Sequence, residues 1–436
     1  FKLLLFQFGN MKKVNVGIIG LGTIGSGVYK IIAERRTEIK KAYNLDISIT
    51  KCCDISEVSR KKLRIPKSMF TKNYRDITNS NDIDVVIELI GGTKIAHTIS
   101  KEALRNNKHL ITANKALLAE HGKKLRELAK RKSKNIGYEA SVGGGIPIIS
   151  SILDSILINK ISSFKGIFNG TCNYILSLMS RGIDFKEALK MAQDQGFAEA
   201  DPTLDINGKD SAHKVAVLSQ TCFGINLKLS QIFTQGIQDI TSYDLNVANN
   251  LGYKIKLLGI SKIIKQKIDI RVHPTLVRNN NPLANVENEF NAILLDSKNL
   301  GPFMGYGYGA GMLPTATAII SDIIRTTNKE LHPPDLKSKA PFRPIKFEEI
   351  KSKFYIRIEL EDKPGNLGAT TTILGKFKIN IDEIIQSQSK IKSKSAPVVI
   401  LTKNTEYIMV DKALKKISQA KLSKNKALVI PIEDFN

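Results

Sequence analysis

Three scarcities bound the chain before any motif is read. No apolar run in its 436 residues approaches the roughly 20 residues that span a bilayer, so a transmembrane helix is excluded and a soluble protein without membrane partners is expected. Only four cysteines occur, Cys52, Cys53, Cys172 and Cys222, without zinc-ligand spacing or a disulfide framework, which fits a reducing, cytoplasmic setting. The adjacent Cys52-Cys53 are expected to fill a strand. Acidic residues are short, 41 against 66 Lys and Arg, giving a net charge of +25 and a pI near 9.7. That balance favours nucleic acid or anionic surfaces. The lysines, however, are scattered along the whole length, with no arginine-rich patch or helix-turn-helix pattern, so the charge reads as compositional bias and no nucleic-acid partner is expected. Phe1–Asn10 lacks a small-residue cleavage site and a basic stretch beyond Lys2, so no signal peptide is read, and Met11 reads as the natural start.

The length, with 42% hydrophobic residues, calls for two or three domains. Residues 11–141 alternate apolar strands with helical segments, the pattern of a parallel α/β sheet, with strands at 14–20, 46–52, 84–90, 109–112 and 136–139. Between the first strand and its helix lies Gly20-Leu21-Gly22-Thr23-Ile24-Gly25. Gly20 permits a tight turn, Gly22 lets a pyrophosphate approach the backbone, and Gly25 lets the helix sit close to the sheet. The helix N-terminus adds free N–H groups and a positive dipole end. A dinucleotide site, and hence redox chemistry, is the reading; a glycine-rich turn without ligand is its competitor. Polar and glycine residues gather at the other strand ends, Asp54, Gly91-Gly92-Thr93, Thr112 to Lys115 and Glu139 to Gly145, where ligands of such sheets bind.

Residues 142–300 change character, with a strand at 161–168 and helices near 171–180, 185–194 and 208–222, and read as a substrate domain. A second glycine cluster, Gly305 to Gly311, precedes an apolar helix, so 301–325 is expected to return to the first domain. The Pro- and Lys-rich segment 326–353 reads as a linker. Beyond it, 354–436 follows a βαββαβ order, a ferredoxin-like unit.

The stretch from Gln195 through Lys214 is dense in carboxylates and runs into a helix on which Asp210 and Lys214, four apart, share a face. Val215–Leu218 is apolar all round, so the helix is expected to be buried and its charged pair to lie at a cleft. A desolvated lysine there can act as a general acid/base. An ordinary helix pair, with Asp210 complementing the dipole, fits the same spacing.

Six motifs then resemble, in order, those of homoserine dehydrogenases: Gly20–Gly25, Glu88–Thr93, Thr112–Lys115, Tyr138–Gly145, Asn169–Leu176 and Gly196–Lys214. The C-terminal Glu361-Asp362-Lys363-Pro364-Gly365-Asn366-Leu367 resembles the opening of an ACT domain. The resemblance implies a Rossmann-type nucleotide domain, an α+β substrate and dimerisation domain and a C-terminal ferredoxin-like ACT domain. It implies interconversion of L-homoserine and L-aspartate 4-semialdehyde with NAD or NADP, a step towards threonine, methionine and isoleucine. By position, Lys214 resembles the catalytic lysine, Asp210 and Glu199 the carboxylates that hold the substrate, and Lys115 a second active-site lysine near substrate and cofactor. The cofactor set it implies comprises Gly20, Gly22, Thr23, Ile24, Gly25, Asp54, Thr93, Lys115, Gly196, Glu199, Gly309 and Gly311. Glu139, with carbonyls at Val142, Gly144 and Ile146, resembles a monovalent-cation site, usually sodium; a glycine-rich hinge fits the same residues.

Two departures from the family pattern matter. Many members carry Arg just before the second-strand Asp, whereas Cys53 precedes Asp54 here, and Asp54 lies 29 positions beyond Gly25, which is longer than usual. A shift towards NAD is expected, with Arg60, Lys61 or Lys62 able to reverse it. Lys403 stands where many relatives have His, so the ACT domain reads as a self-association module ahead of a threonine-effector site. The resemblance implies a monofunctional homodimer or homotetramer. A different semialdehyde dehydrogenase, and a basic regulatory protein that senses NAD and amino acids, are the alternatives.

Overall fold

The computed structural model describes residues 11–328, 342–386, 395–423 and 425–433. They form two compact units, one drawn from 1–161, 213–229 and 296–339, the other from 162–212, 230–295 and 340–436. Residues 1–10 lie outside the described residues.

In the first unit β1 (Lys12–Ile19), β2 (Leu45–Cys53), β3 (Phe70–Thr71), β4 (Val85–Glu88), β5 (His109–Thr112) and β6 (Ile136–Gly137) make a parallel sheet in the order β3-β2-β1-β4-β5-β6. The order reverses between β1 and β4, the crevice at which doubly wound sheets bind ligands. β1 is apolar because both faces are covered. The helices Thr23–Tyr43 and Met312–Asn328 bring Val28, Ile32, Ala316 and Ile319 against Val16 and Ile18, while Ile77, Ile99 and Ala103 pack on Ile19 and Val86. Gly27 makes the first of these packings possible, since a Cβ there would lie 2.7 Å from Met312 Cγ. Cys52 and Cys53 are buried in β2, and all four cysteines are free thiols.

The second unit is built on β7 (Ile161–Ile167), β8 (Phe233–Thr234), β9 (Tyr253–Ile264), β10 (Lys267–Arg278) and β11 (Phe290–Ser297); β12 (Gly301–Tyr308) follows and belongs to the first unit. It continues with β13 (Arg343–Pro344), β14 (Lys351–Glu361), β15 (Ile381–Gln386), β16 (Ser395–Thr402), β17 (Thr405–Glu406) and β18 (Leu428–Glu433). The main sheet runs β11-β7-β9-β10-β18-β14-β16-β15, with β8 and β13 on β10 and β17 on β14. With helices Asn366–Lys376 and Tyr407–Gln419, the strands β14, β15, β16 and β18 complete the βαββαβ unit. Its core joins Phe354, Ile356, Val398 and Ile400 to Leu374, Val410 and Ile417. β18 pairs antiparallel with β14 and parallel with β10, so one strand belongs to both parts of the sheet. Beside that junction the buried Arg271 bridges the buried Asp269 at 2.9 Å and the half-buried Glu433 at 3.1 Å, and the buried Lys165 meets Glu433 at 2.9 Å.

Of the segment 326–353, residues 329–341 lie outside the described residues; Arg343–Pro344 pairs with β10 and Phe347–Glu349 forms a short 3-10 turn. No helix among the described residues is long and apolar enough to cross a membrane.

Candidate active site

The glycine turn between β1 and the helix Thr23–Tyr43 divides its labour residue by residue. Gly20 has φ +100°, and a Cβ there would sit 2.7 Å from the Leu89 carbonyl oxygen. At Gly25 a Cβ would come within 2.0 Å of the Gly20 carbonyl. These two are glycine because main chain fills the space, that following β4 at Gly20 and that of the turn itself at Gly25. A Cβ on Gly22 would meet nothing within 4 Å. Gly22 therefore faces open space at the start of a helix that no side chain caps, which is the arrangement a pyrophosphate requires. Thr23 is exposed and Ile24 half-buried beside it. Asp54, just past β2, accepts from Leu21 N at 2.7 Å through Oδ2 and from Ser56 N at 2.9 Å through Oδ1, so it braces the turn as well as marking the strand end. Arg60 is turned away to Glu57 at 2.9 Å and to the Phe70 ring.

Across the switch point Glu88, at the end of β4, organises the neighbouring strand ends. Its Oε1 accepts from Ile90 N at 2.8 Å and its Oε2 from Thr112 Oγ1 at 2.7 Å. Thr112 Oγ1 accepts from Asn114 N at 3.0 Å. Asn114 caps the helix Lys115–Arg131 by accepting from Leu117 N, and its Nδ2 donates to Gly92 O at 2.7 Å. This chain of bonds ties the Gly91-Gly92-Thr93 turn to the helix whose first residue is the half-buried Lys115. Burial pushes the Glu88 carboxyl up to about 7 against the pull of its hydrogen bonds.

The third feature of this unit is the loop after β6. Gly143 and Gly144 have φ +76° and +58°, and a Cβ on Gly144 would lie 2.5 Å from the Gly309 carbonyl group. Gly145 N donates to Tyr308 O at 3.1 Å, and a Cβ at Gly145 would meet Pro314 at 2.7 Å. The two glycine clusters are thus packed backbone against backbone. Gly311, with φ +119°, ends the second cluster, and Val142 and Ile146 are buried within the first. The Glu139 carboxylate is committed to main-chain amides, Ile149 N at 2.7 Å and Ser150 N at 2.8 Å. Asp322, only 1% exposed, accepts from Glu139 N at 2.7 Å, and Arg325 lies 3.8 Å from both carboxylates. Burial first, then the charge of Glu139, drives Asp322 far above the carboxylate range.

In the second unit Gly196 takes φ +75° with open space around it, and Glu199 is exposed. The loop between them is held by Thr171 Oγ1 on Phe197 O and by Gln193 Nε2 on Glu199 O at 3.1 Å. Asp210, 9% exposed, receives Asn169 Nδ2 at 3.0 Å, and the same nitrogen donates to Asp205 at 2.7 Å. Asp210 lies in the first turn of the helix Lys209–Phe223, which carries the half-buried Lys214 one turn later and buries Val215–Leu218. Sequence reasoning singled out neither Glu88, Asn169, Asp205, Asp322 nor Arg325 for a role. Glu88, Asn169 and Asp205 stand inside recognisable motifs, and that is the one signal that could have found them.

Three family models match the chain: homoserine dehydrogenase, NAD binding domain, at residues 20–139; homoserine dehydrogenase at 147–324; and ACT domain at 354–421. A homoserine dehydrogenase of Neisseria gonorrhoeae is 38% identical over 93% of this chain and 95% of its own length. The crystal structure of a homoserine dehydrogenase from Thiobacillus denitrificans aligns with TM-score 0.89 at 35% identity, covering 98% of this chain and all of that one. A hyperthermophilic archaeal homoserine dehydrogenase in complex with NADPH aligns with TM-score 0.62 at 26% identity over 72% of this chain and 98% of its own. With two family models over its catalytic portion, full-length relatives of one name and a nucleotide turn built as described, the chain belongs to the homoserine dehydrogenases, NAD(P)-dependent oxidoreductases of amino-acid biosynthesis, and carries a C-terminal ACT domain.

Proposed function

We infer that the chain interconverts L-homoserine and L-aspartate 4-semialdehyde on the route to threonine, methionine and isoleucine, with Lys214 as the proton carrier. The observation that carries this reading is the placement of Asp210 and Lys214 one turn apart on a single buried helix. The Gly20–Gly25 turn would hold the pyrophosphate of NAD(P), which would supply the hydride acceptor or donor for the carbon that bears the hydroxyl. In the oxidative direction Lys214 accepts the hydroxyl proton as the C–O bond becomes a carbonyl; in the reductive direction it returns that proton. Asp210 and Glu199 hold the substrate's ammonium group, and Lys115 supports substrate and cofactor from the end of β5. Thr93, Gly196, Gly309 and Gly311 complete the cofactor surroundings in this assignment.

Asp54 without a preceding Arg, and Arg60 engaged with Glu57, favour NAD over NADP. The cation fits main-chain oxygens best. Among the described residues no three His, Cys, Asp or Glu side chains converge, and the Glu139 carboxylate is taken up by amides, so Glu139 would contribute its carbonyl beside those of Val142, Gly144 and Ile146. Such oxygens suit a hard cation like sodium. The ACT domain serves self-association in this reading; a threonine effector is the second role, with a cavity of about 350 Å³ bounded by Glu361 to Gly365, Leu367, Gln386 and Ala396 as its candidate seat. Self-association into a dimer or tetramer in the cytoplasm completes the reading.

Steady-state oxidation of L-homoserine, followed at 340 nm with NAD and with NADP, tests it. Lys214→Ala is expected to lower kcat by about 100-fold or more in a folded protein. Equal rates for the variant would remove Lys214 from the mechanism, and a tenfold preference for NADP in kcat/KM would overturn the cofactor assignment.

A further inference from the structure

Asp205 and Asp210 lie on successive short stretches, the helix Thr203–Ile206 and the start of Lys209–Phe223, and both turn to one neutral side chain. Asn169 Nδ2 donates to Asp205 Oδ1 at 2.7 Å and to Asp210 Oδ2 at 3.0 Å, which uses both of its N–H bonds. Its other end fixes which way the amide points. Asn169 Oδ1 accepts from the main-chain N–H of Cys172 at 2.8 Å, capping the helix Gly170–Met179. Reversing the amide would set an NH2 group against an N–H and an oxygen against two carboxylates, so both ends select the same orientation. At 4% exposure no water competes freely for these bonds. The fork fixes the spacing and orientation of the two carboxylates through two directed N–H donors.

We propose that Asn169 is a positioning residue of the reaction, whose amide fork holds Asp205 and Asp210 side by side as a two-carboxylate seat for the substrate's ammonium group. The inference rests on the assignment of Asp210 to substrate binding and adds Asp205 to that seat.

Asn169→Asp separates this role from helix capping. Asp and Asn cap equally well, and the exchange replaces only the donor fork by a third acidic oxygen. KM values for L-homoserine and for the nucleotide are measured on the full chain, with thermal unfolding alongside. Asn169→Asp is expected to raise the KM for L-homoserine by about 10- to 100-fold, the worth of a lost charge-assisted hydrogen bond, while the nucleotide KM stays unchanged. Asn169→Ser, which keeps a cap acceptor and one O–H donor, is expected to fall between. A wild-type KM for L-homoserine in Asn169→Asp, where Asp210→Asn is impaired, overturns the inference. Wild-type kinetics in Asp210→Asn would defeat the underlying assignment first, and the role of Asn169 with it. If Asn169→Asp does not fold, Asn169→Ser decides: a raised L-homoserine KM with an unchanged nucleotide KM supports the fork, and a wild-type value overturns it.

Discussion

Glu88 has none of its surface exposed, and two donors meet its oxygens. Burial lifts its carboxyl from 4.5 to about 7. Between those values the unfolded chain has released a proton that the folded chain keeps, so on this group's account stability is complete at low pH and falls as pH rises through about 7. The loss amounts to about 3 kcal/mol at most. Glu88→Gln keeps a carbonyl acceptor for Ile90 N and cannot ionise. Its unfolding free energy is therefore expected to gain on the wild type as pH rises from about 5 to about 8, in denaturant titrations at each pH; a pH-independent difference would refute the linkage. Sequence reading reached the charged residues that stand together in one segment, such as Asp210 and Lys214. It did not reach Glu88 with Thr112, or Asn169 with Asp210, because those partners lie 24 and 41 residues apart and only the fold brings them together.

The glycine turn behaves as an element with two kinds of position. Gly25 is closed by Gly20's own carbonyl, whereas Gly22 is open. Gly25→Ala is expected to destabilise by about 3 kcal/mol or more, since the helix cannot keep its approach to the strand. Gly22→Ala is expected to change stability by less than about 1 kcal/mol while weakening NAD(P) binding at least tenfold, read by nucleotide titration. Equal damage from both would mean that Gly22 has no ligand role. Strand and helix order in 11–141 was legible because alternating apolar runs and glycine turns survive in the sequence. The 12-residue strands β9 and β10 were not: both are buried almost throughout, Leu257 to Ile260 and Ile268 to Val277 included, so the period-2 signal of a half-exposed strand is erased. The two-residue β3 is too short to carry a pattern at all.

At the scale of the whole molecule, the ACT domain shares a sheet with β10 through β18, and Glu433 is the counter-charge to Arg271 and Lys165. Removing residues 354–436 would expose a strand edge and leave the buried Lys165 and Arg271 short of a partner. The truncated protein is expected to aggregate on expression or to unfold many degrees below the full chain; a soluble, active core with the full chain's midpoint would show that the sheet junction contributes nothing. The helix Lys209–Phe223 has a different kind of consequence. It carries Asp210 in its first turn and Lys214 one turn later. Four residues of α-helix rise about 6 Å. The carboxylate and the lysine are therefore mounted on a common peptide ruler, and the span between their attachment points stays constant through any motion that leaves this helix wound.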